Sequence, residues 1–137
     1  MALPRLTART EGPDMTGTKL ILTVDDSATI RELLLSELSG LGYRVTQAED
    51  GVHGLEMLSR EPPDVIITDI TMPRMDGIRF IQNVRGDERY KATPILVLTT
   101  ESDPDIKDRA KRAGATGWIV KPFDPRKLAE AIRKVTA

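Results

Sequence analysis

Asp69 ends an apolar run. Residues 65–67 read Val-Ile-Ile, Thr68 follows, and the acid arrives just before Met72-Pro73 and a Met75-Asp76-Gly77 turn. A buried strand that hands one carboxylate to its own C-terminal end builds a site there, because ligands of open parallel sheets sit outside the carboxyl ends of the strands. Asp25 and Asp26 close a second apolar run, Thr99 a third and Lys121 a fourth. Brought together, the three carboxylates repel and raise one another's pKa unless a cation joins them. Oxygen donors without His or Cys select a hard cation, and one that keeps several of its waters points to Mg²⁺. The chemistry this set predicts is transfer of a phosphoryl group to Asp69. Mg²⁺ would neutralise charge on the incoming group, Lys121 would add a second positive point charge, and Thr99 would donate a hydrogen bond to a phosphoryl oxygen. Carboxylate nucleophiles that form aspartyl phosphates are an established mode of covalent catalysis, and phosphoryl transfer draws mainly on positioning and charge.

The elements that must position these residues follow a rhythm of strand and helix. Residues 19–24 are a strand that runs into Asp25-Asp26-Ser27, a helix start. Ile30, Leu33, Leu34 and Leu38 then recur at helical spacing, with Gly40 and Gly42 closing the helix. Residues 43–48 alternate weakly, as an edge strand does. Val52, Leu55 and Leu58 mark a second helix stopped by Pro62-Pro63. After the strand of Asp69 comes a helix with Ile78, Ile81 and Val84 facing inward, then a buried strand over 93–99. A charged helix over 104–113 ends at Gly114, a short strand covers 118–120, and Pro125 opens a last helix with Leu128, Ile132 and Val135 on one stripe. Five such alternations with short connections predict an α/β fold, doubly wound, with a five-stranded parallel sheet in the order 2-1-3-4-5 and five helices. In that order the ends of the first, third, fourth and fifth strands lie side by side, which gathers Asp25, Asp26, Asp69, Thr99 and Lys121 in one crevice.

Composition sets the limits. The chain of 137 residues reads as one domain, residues 18–137, behind a flexible leader over 1–17. Twenty basic and twenty-one acidic side chains give a net charge of -1, which creates no field favouring nucleic acid or anionic lipid. There is no cysteine, hence no disulfide framework, thiolate metal site or cysteine nucleophile. No apolar run approaches a membrane span and the N-terminus lacks a secretion signal, so a cytoplasmic location is expected.

Each residue also has a bland reading. Asp25 and Asp26 could cap the first helix, and Thr99 suits any strand. A lone Lys121 would be a surface lysine. Asp76-Gly77 reads as a structural turn and cap, His53 as exposed and inert, and Met57, Met72 and Met75 as packing. Their coincidence at matching strand ends favours the site.

With those residues in hand, the chain resembles the receiver domain of two-component response regulators, in particular stand-alone, CheY-like members of the chemotaxis type. The matching pieces are LTVDDS at 22–27, AEDG at 48–51, IITDITMPRMDG at 66–77, ILVLTTE at 95–101 and GATGWIVKPF at 114–123. The resemblance implies a flavodoxin-like, CheY-like fold in which Asp69 is the phosphoacceptor, charged by a CheA-like sensor histidine kinase. It implies that Asp25, Asp26, Asp69 and the backbone carbonyl of Thr71 arrange Mg²⁺, that Thr99 and Lys121 bind the phosphoryl group, and that the bond before Pro122 is cis. It couples Thr99 to an aromatic on the fifth strand, here Trp118, and so to the face formed by the fourth helix, fifth strand and fifth helix. Thr71, Thr100 and Glu101 fall at positions that tune dephosphorylation or access. Trp118 stands where Tyr or Phe is commoner, and Thr100 where Ala or Gly is frequent, which bears on inward rotation and on the rate of transfer.

The function expected on this basis is a phosphorylation-controlled signalling module, a monomer, whose phosphorylated form binds the flagellar motor switch protein. A phosphorelay intermediate or phosphate sink that passes the group to a phosphotransfer domain is the alternative with the same chemistry. A phosphatase of the aspartyl-phosphate type would need a second Asp two positions after the nucleophile, where Thr71 stands. A flavodoxin-like cofactor binder would need hydroxyls and backbone donors after the first strand, where Asp25-Asp26 would repel a phosphate.

Overall fold

The structure is a computed structural model and describes residues 17–136; the leader expected over 1–17 therefore lies outside the described residues, Gly17 excepted. Five parallel strands carry the fold: β1 (Leu20–Val24), β2 (Arg44–Ala48), β3 (Val65–Thr68), β4 (Ile95–Thr99) and β5 (Gly117–Val120). They lie in the order β2-β1-β3-β4-β5, so the switch point falls between β1 and β3. Helices α1 (Ala28–Gly40), α2 (Gly51–Arg60), α3 (Gly77–Arg85), α4 (Pro104–Ala113) and α5 (Pro125–Thr136) alternate with them. This is the CheY-like arrangement expected from the sequence.

Strands covered on both faces read as continuous apolar runs, and β1, β3 and β4 are buried at every position. Alternate side chains feed two cores. Leu22, Val24, Ile66, Ile95 and Val97 meet Leu58, Phe80, Ile81, Val84 and Ala110 on the side of α2, α3 and α4. Ile21, Val65, Ile67, Leu96 and Leu98 meet Leu34, Leu38, Leu128 and Ile132 on the side of α1 and α5. Both ends of the sheet are less protected: β2 is half-buried along most of its length, and Val120 of β5 is exposed.

Two expectations need correction. The helical spacing puts Leu33 on the apolar face of the first helix, but it is 47% exposed, while Leu34 and Leu38 carry the contact with the sheet. A row of four leucines and isoleucines is wider than the strip a helix presses against a sheet, and Leu33 lies beyond its margin. His53 is half-buried rather than exposed, and its Nδ1 accepts a hydrogen bond from the Glu49 backbone N–H at 3.1 Å. One element was not anticipated, a short 3-10 turn at Glu88–Tyr90 whose Tyr90 is buried and donates to the Leu58 carbonyl at 3.3 Å. The methionines pack as expected: Met72 is in the core, and Met57 and Met75 lie against it.

Candidate functional site

The sheet ends above β1, β3, β4 and β5 form one polar crevice over an apolar core. Asp25 follows β1 and is 2% exposed, and Asp69 follows β3 and is 8% exposed, whereas Asp26 points to solvent. One carboxylate oxygen from each of Asp25, Asp26 and Asp69 lies within 4.8 Å of the others. Local hydrogen bonds fix two of the three acids. Asp25 Oδ1 accepts from the Ser27 N–H at 2.9 Å, and Asp69 Oδ1 from the Ile70 N–H at 2.7 Å. The helix cap that the acids could have supplied comes from Ser27, whose Oγ accepts from the Ile30 N–H at 3.2 Å. Both Oδ2 atoms therefore turn into the crevice.

Lys121 reaches them from β5. Its Nζ donates to Asp25 Oδ2 at 2.8 Å and to Asp69 Oδ2 at 3.0 Å, and its side chain is only 9% exposed. The sequence suggested a phosphoryl ligand; the structure shows the ammonium bridging two acids directly. Burial opposes its charge, but the hydrogen bonds to Asp25 and Asp69 prevail and hold Lys121 above the ordinary lysine range. For Asp25 the balance tips the other way: burial outweighs Lys121 and the Ser27 bond and pushes its carboxyl up. The Lys121-Pro122 bond is cis.

The remaining sequence candidates surround this group. Thr99 is 1% exposed and its Oγ1 accepts from the Glu101 N–H at 3.2 Å, which leaves its hydroxyl hydrogen free to donate. Thr71 and Thr100 are exposed and Glu101 is half-buried. Trp118 pairs in register with Val97, two positions short of the Thr99–Val120 pair. It is half-buried, packs against the core beneath α4, and lines a hollow of about 230 Å³ with Lys107, Lys111, Ala115, Thr116 and Gly117. The carboxylates, the lysine and Thr99 thus share the strand ends, with Trp118 further down β5.

Sequence reading missed one pair. Asp50 is 2% exposed and caps α2 by accepting from the His53 N–H at 2.8 Å. Arg74, in the loop after Asp69, grips the same carboxylate with Nε at 2.7 Å and Nη2 at 3.0 Å. An Asp before a helical pattern is a recognisable cap signal, but nothing local announces a partner 24 positions away. The Arg74 guanidinium holds the Asp50 carboxyl below its ordinary value of 3.8. A lowered folded pKa gives stability that is complete above the ordinary value and lost as pH falls through the lowered one. Arg74→Ala should therefore cost most at neutral pH, and its gap to the unaltered chain in urea unfolding should close on acidification below 3.8. A gap constant through that range would remove Asp50 as its cause.

The donor set fits a hard divalent cation: clustered carboxylate oxygens, two of them oriented by backbone N–H groups, and no nitrogen or sulfur donor in the group. Among the described residues no helix is long and apolar enough to cross a membrane.

Comparison with known proteins agrees with this geometry. A family model described as the response regulator receiver domain matches residues 21–133. The chemotaxis protein CheY1 of Helicobacter pylori is 42% identical over 117 residues, which cover 84% of this chain and 94% of that protein. Among solved structures, the chemotaxis protein CheY4 of Vibrio cholerae superposes with a TM-score of 0.83 at 44% identity, covering 87% of this chain and 99% of that one. The receiver domain of the sensor histidine kinase PA1611 from Pseudomonas aeruginosa, 27% identical with a TM-score of 0.81, covers 88% of this chain and 98% of its own, and it holds a magnesium ion in its active-site cleft.

Proposed function

Because the chain belongs to the response regulator receiver family, we propose that it is a phosphorylation switch whose phosphoacceptor is Asp69. As a relative of CheY proteins it is a phosphoacceptor signalling protein rather than an enzyme turning over a substrate. The observation that carries the assignment to Asp69 is the Lys121 ammonium hydrogen-bonded at once to Asp69 and Asp25, in a cluster that Asp26 completes.

On this reading Asp25, Asp26, Asp69 and the Thr71 carbonyl hold Mg²⁺, which supplies charge neutralisation for the phosphoryl group when bound. Asp69 presents Oδ2 to the phosphorus while the Ile70 N–H keeps Oδ1 in place. The phosphohistidine of a CheA-like histidine kinase is the donor, and its imidazole leaves as the new P–O bond forms. Lys121 then exchanges its bond to the Asp69 carboxylate for one to a phosphoryl oxygen, and Thr99 rotates its hydroxyl to donate to another. Movement of Thr99 alters the space available to Trp118 and shifts the population of the α4-β5-α5 face between two states. That shift is bounded by the differential affinity of the ligand for them. Thr100 and Glu101, beside the switch residue, and Thr71 set access and the lifetime of the phosphoryl group. The cytoplasm, where such a kinase would work, is the compartment this function requires.

The partner proposed for the phosphorylated face is the flagellar motor switch protein. Pull-down with and without a phosphate mimic tests this. Capture of the motor-switch protein only in the mimic-bound state is the expected result. Capture of a phosphotransfer domain alone would replace this partner with a phosphorelay role.

A further inference from the structure

The loop from Asp69 to Gly77 is fastened at two places, and only one of them is its own root. At the root, Gly77 donates to the Ile70 carbonyl at 2.7 Å and lies flat against the Asp69 backbone. At the tip, the loop leans on the start of α2. The Gly51 N–H donates to the Met75 carbonyl at 3.3 Å, and a Cβ on Gly51 would stand 2.8 Å from both the Met75 carbonyl oxygen and its Cγ. Beside that contact Arg74 takes a left-handed backbone with φ 64, which costs a non-glycine residue about 1 kcal/mol or more. From there it forms the two-pronged bond to Asp50. A strained residue held by a bidentate charge pair persists only where the surroundings enforce it, and a nearly buried carboxylate is the enforcing group.

Between the two fastenings lies Thr71, two residues from Asp69 and three from Arg74. From this geometry we propose that the Asp50–Arg74 pair is a positioning latch, which fastens the loop to α2 and so sets how tightly the carboxylate site holds Mg²⁺. The inference rests on the reading that the Thr71 carbonyl joins the cation's ligands. Neither Asp50 nor Arg74 touches the cation; they act through the loop backbone, as groups that orient metal ligands commonly do. The interaction is intrinsically two-ended, because loss of either partner breaks the same link and loosens a tip that keeps the Gly51–Met75 bond.

Calorimetric titration of Mg²⁺ into the full chain tests the latch with no reference to phosphorylation. The variants are Arg74→Ala, Asp50→Asn and the two combined, each checked by circular dichroism for a native fold. Asp50→Asn keeps a side-chain oxygen for the α2 cap while removing the charge that Arg74 grips. Each single variant should raise the Kd for Mg²⁺ about tenfold, and the double variant should raise it no further, because both changes break one link. Arg74→Lys should recover part of the affinity. If Arg74→Ala does not fold, Arg74→Gly, which suits the left-handed backbone, carries the same expectation. An unchanged Kd in the single variants, or fully additive effects, overturns the latch and leaves the metal reading standing. An unaltered chain that binds no Mg²⁺ overturns the metal reading and the latch together.

Discussion

Asp69→Asn should abolish labelling of the chain by a small phosphodonor such as acetyl phosphate, and a chelator should do the same to the unaltered chain. The two losses have different causes. Asparagine keeps an oxygen to accept from the Ile70 N–H, now at 2.7 Å, so the strand end is undisturbed. What disappears is the anionic oxygen facing Lys121 at 3.0 Å, the atom that would bond to phosphorus. An amide has no comparable nucleophilicity. Lys121 retains Asp25 at 2.8 Å, so the crevice keeps an ion pair and the fold should survive with unaltered circular dichroism. The chelator instead leaves three clustered carboxylates facing an incoming anion with one ammonium to offset them. Labelling that persists in Asp69→Asn removes Asp69 as the acceptor, and labelling indifferent to chelation removes the divalent cation from the reaction.

Gly77→Ala should be nearly as damaging, although residue 77 bears no functional group. A Cβ there would overlap the Asp69 carbonyl oxygen and stand 2.8 Å from the Ile70 Cα and 3.0 Å from the Asp69 carbonyl carbon. These are backbone atoms at the end of a buried strand and cannot swing aside as a side chain tip can. Overpacking of this kind costs about 1–3 kcal/mol. The strain falls on Asp69 itself, and a misplaced nucleophile loses rate steeply, about 10- to 100-fold for displacements near 1 Å. Urea unfolding and a time course of acetyl phosphate labelling should both show the loss. Gly86→Ala is the control, since its Cβ would meet nothing closer than the Gln82 carbonyl at 3.4 Å. Equal behaviour of the two variants would show that the close fit at Gly77 does not govern Asp69.

Much of this was legible before any coordinates. Runs such as Val65-Ile66-Ile67 and Ile95-Leu96-Val97-Leu98 announce strands buried on both faces, and short connections between alternating elements leave few topologies. Once the strand order follows, the terminal residues Asp25, Asp69, Thr99 and Lys121 fall together without further information. What stayed hidden depends on distances between elements rather than patterns within one. Leu33 satisfies the helical period of Leu34 and Leu38, and only the width of the sheet contact excludes it. His53 gives no hint in sequence of its bond to the Glu49 backbone. Arg74 carries no signal in sequence because its partner, the cap of α2, lies 24 positions away. Arg85 is similar: it ties the end of α3 to the Gly114 carbonyl at 3.0 Å and to the Tyr90 carbonyl at 2.9 Å, contacts that no spacing rule foretells.

The bond between Lys121 and Asp25 spans 96 positions of the chain. Closing so long a loop carries an entropic cost, and contacts of wide sequence separation form late relative to local ones. Without β5 in place, Asp25 and Asp69 lack the ammonium that bridges them in the finished fold, and close carboxylates repel one another. On the proposed function, a chain without β5 in place thus lacks the charge balance of the carboxylate site, so competence to receive a phosphoryl group depends on the finished fold.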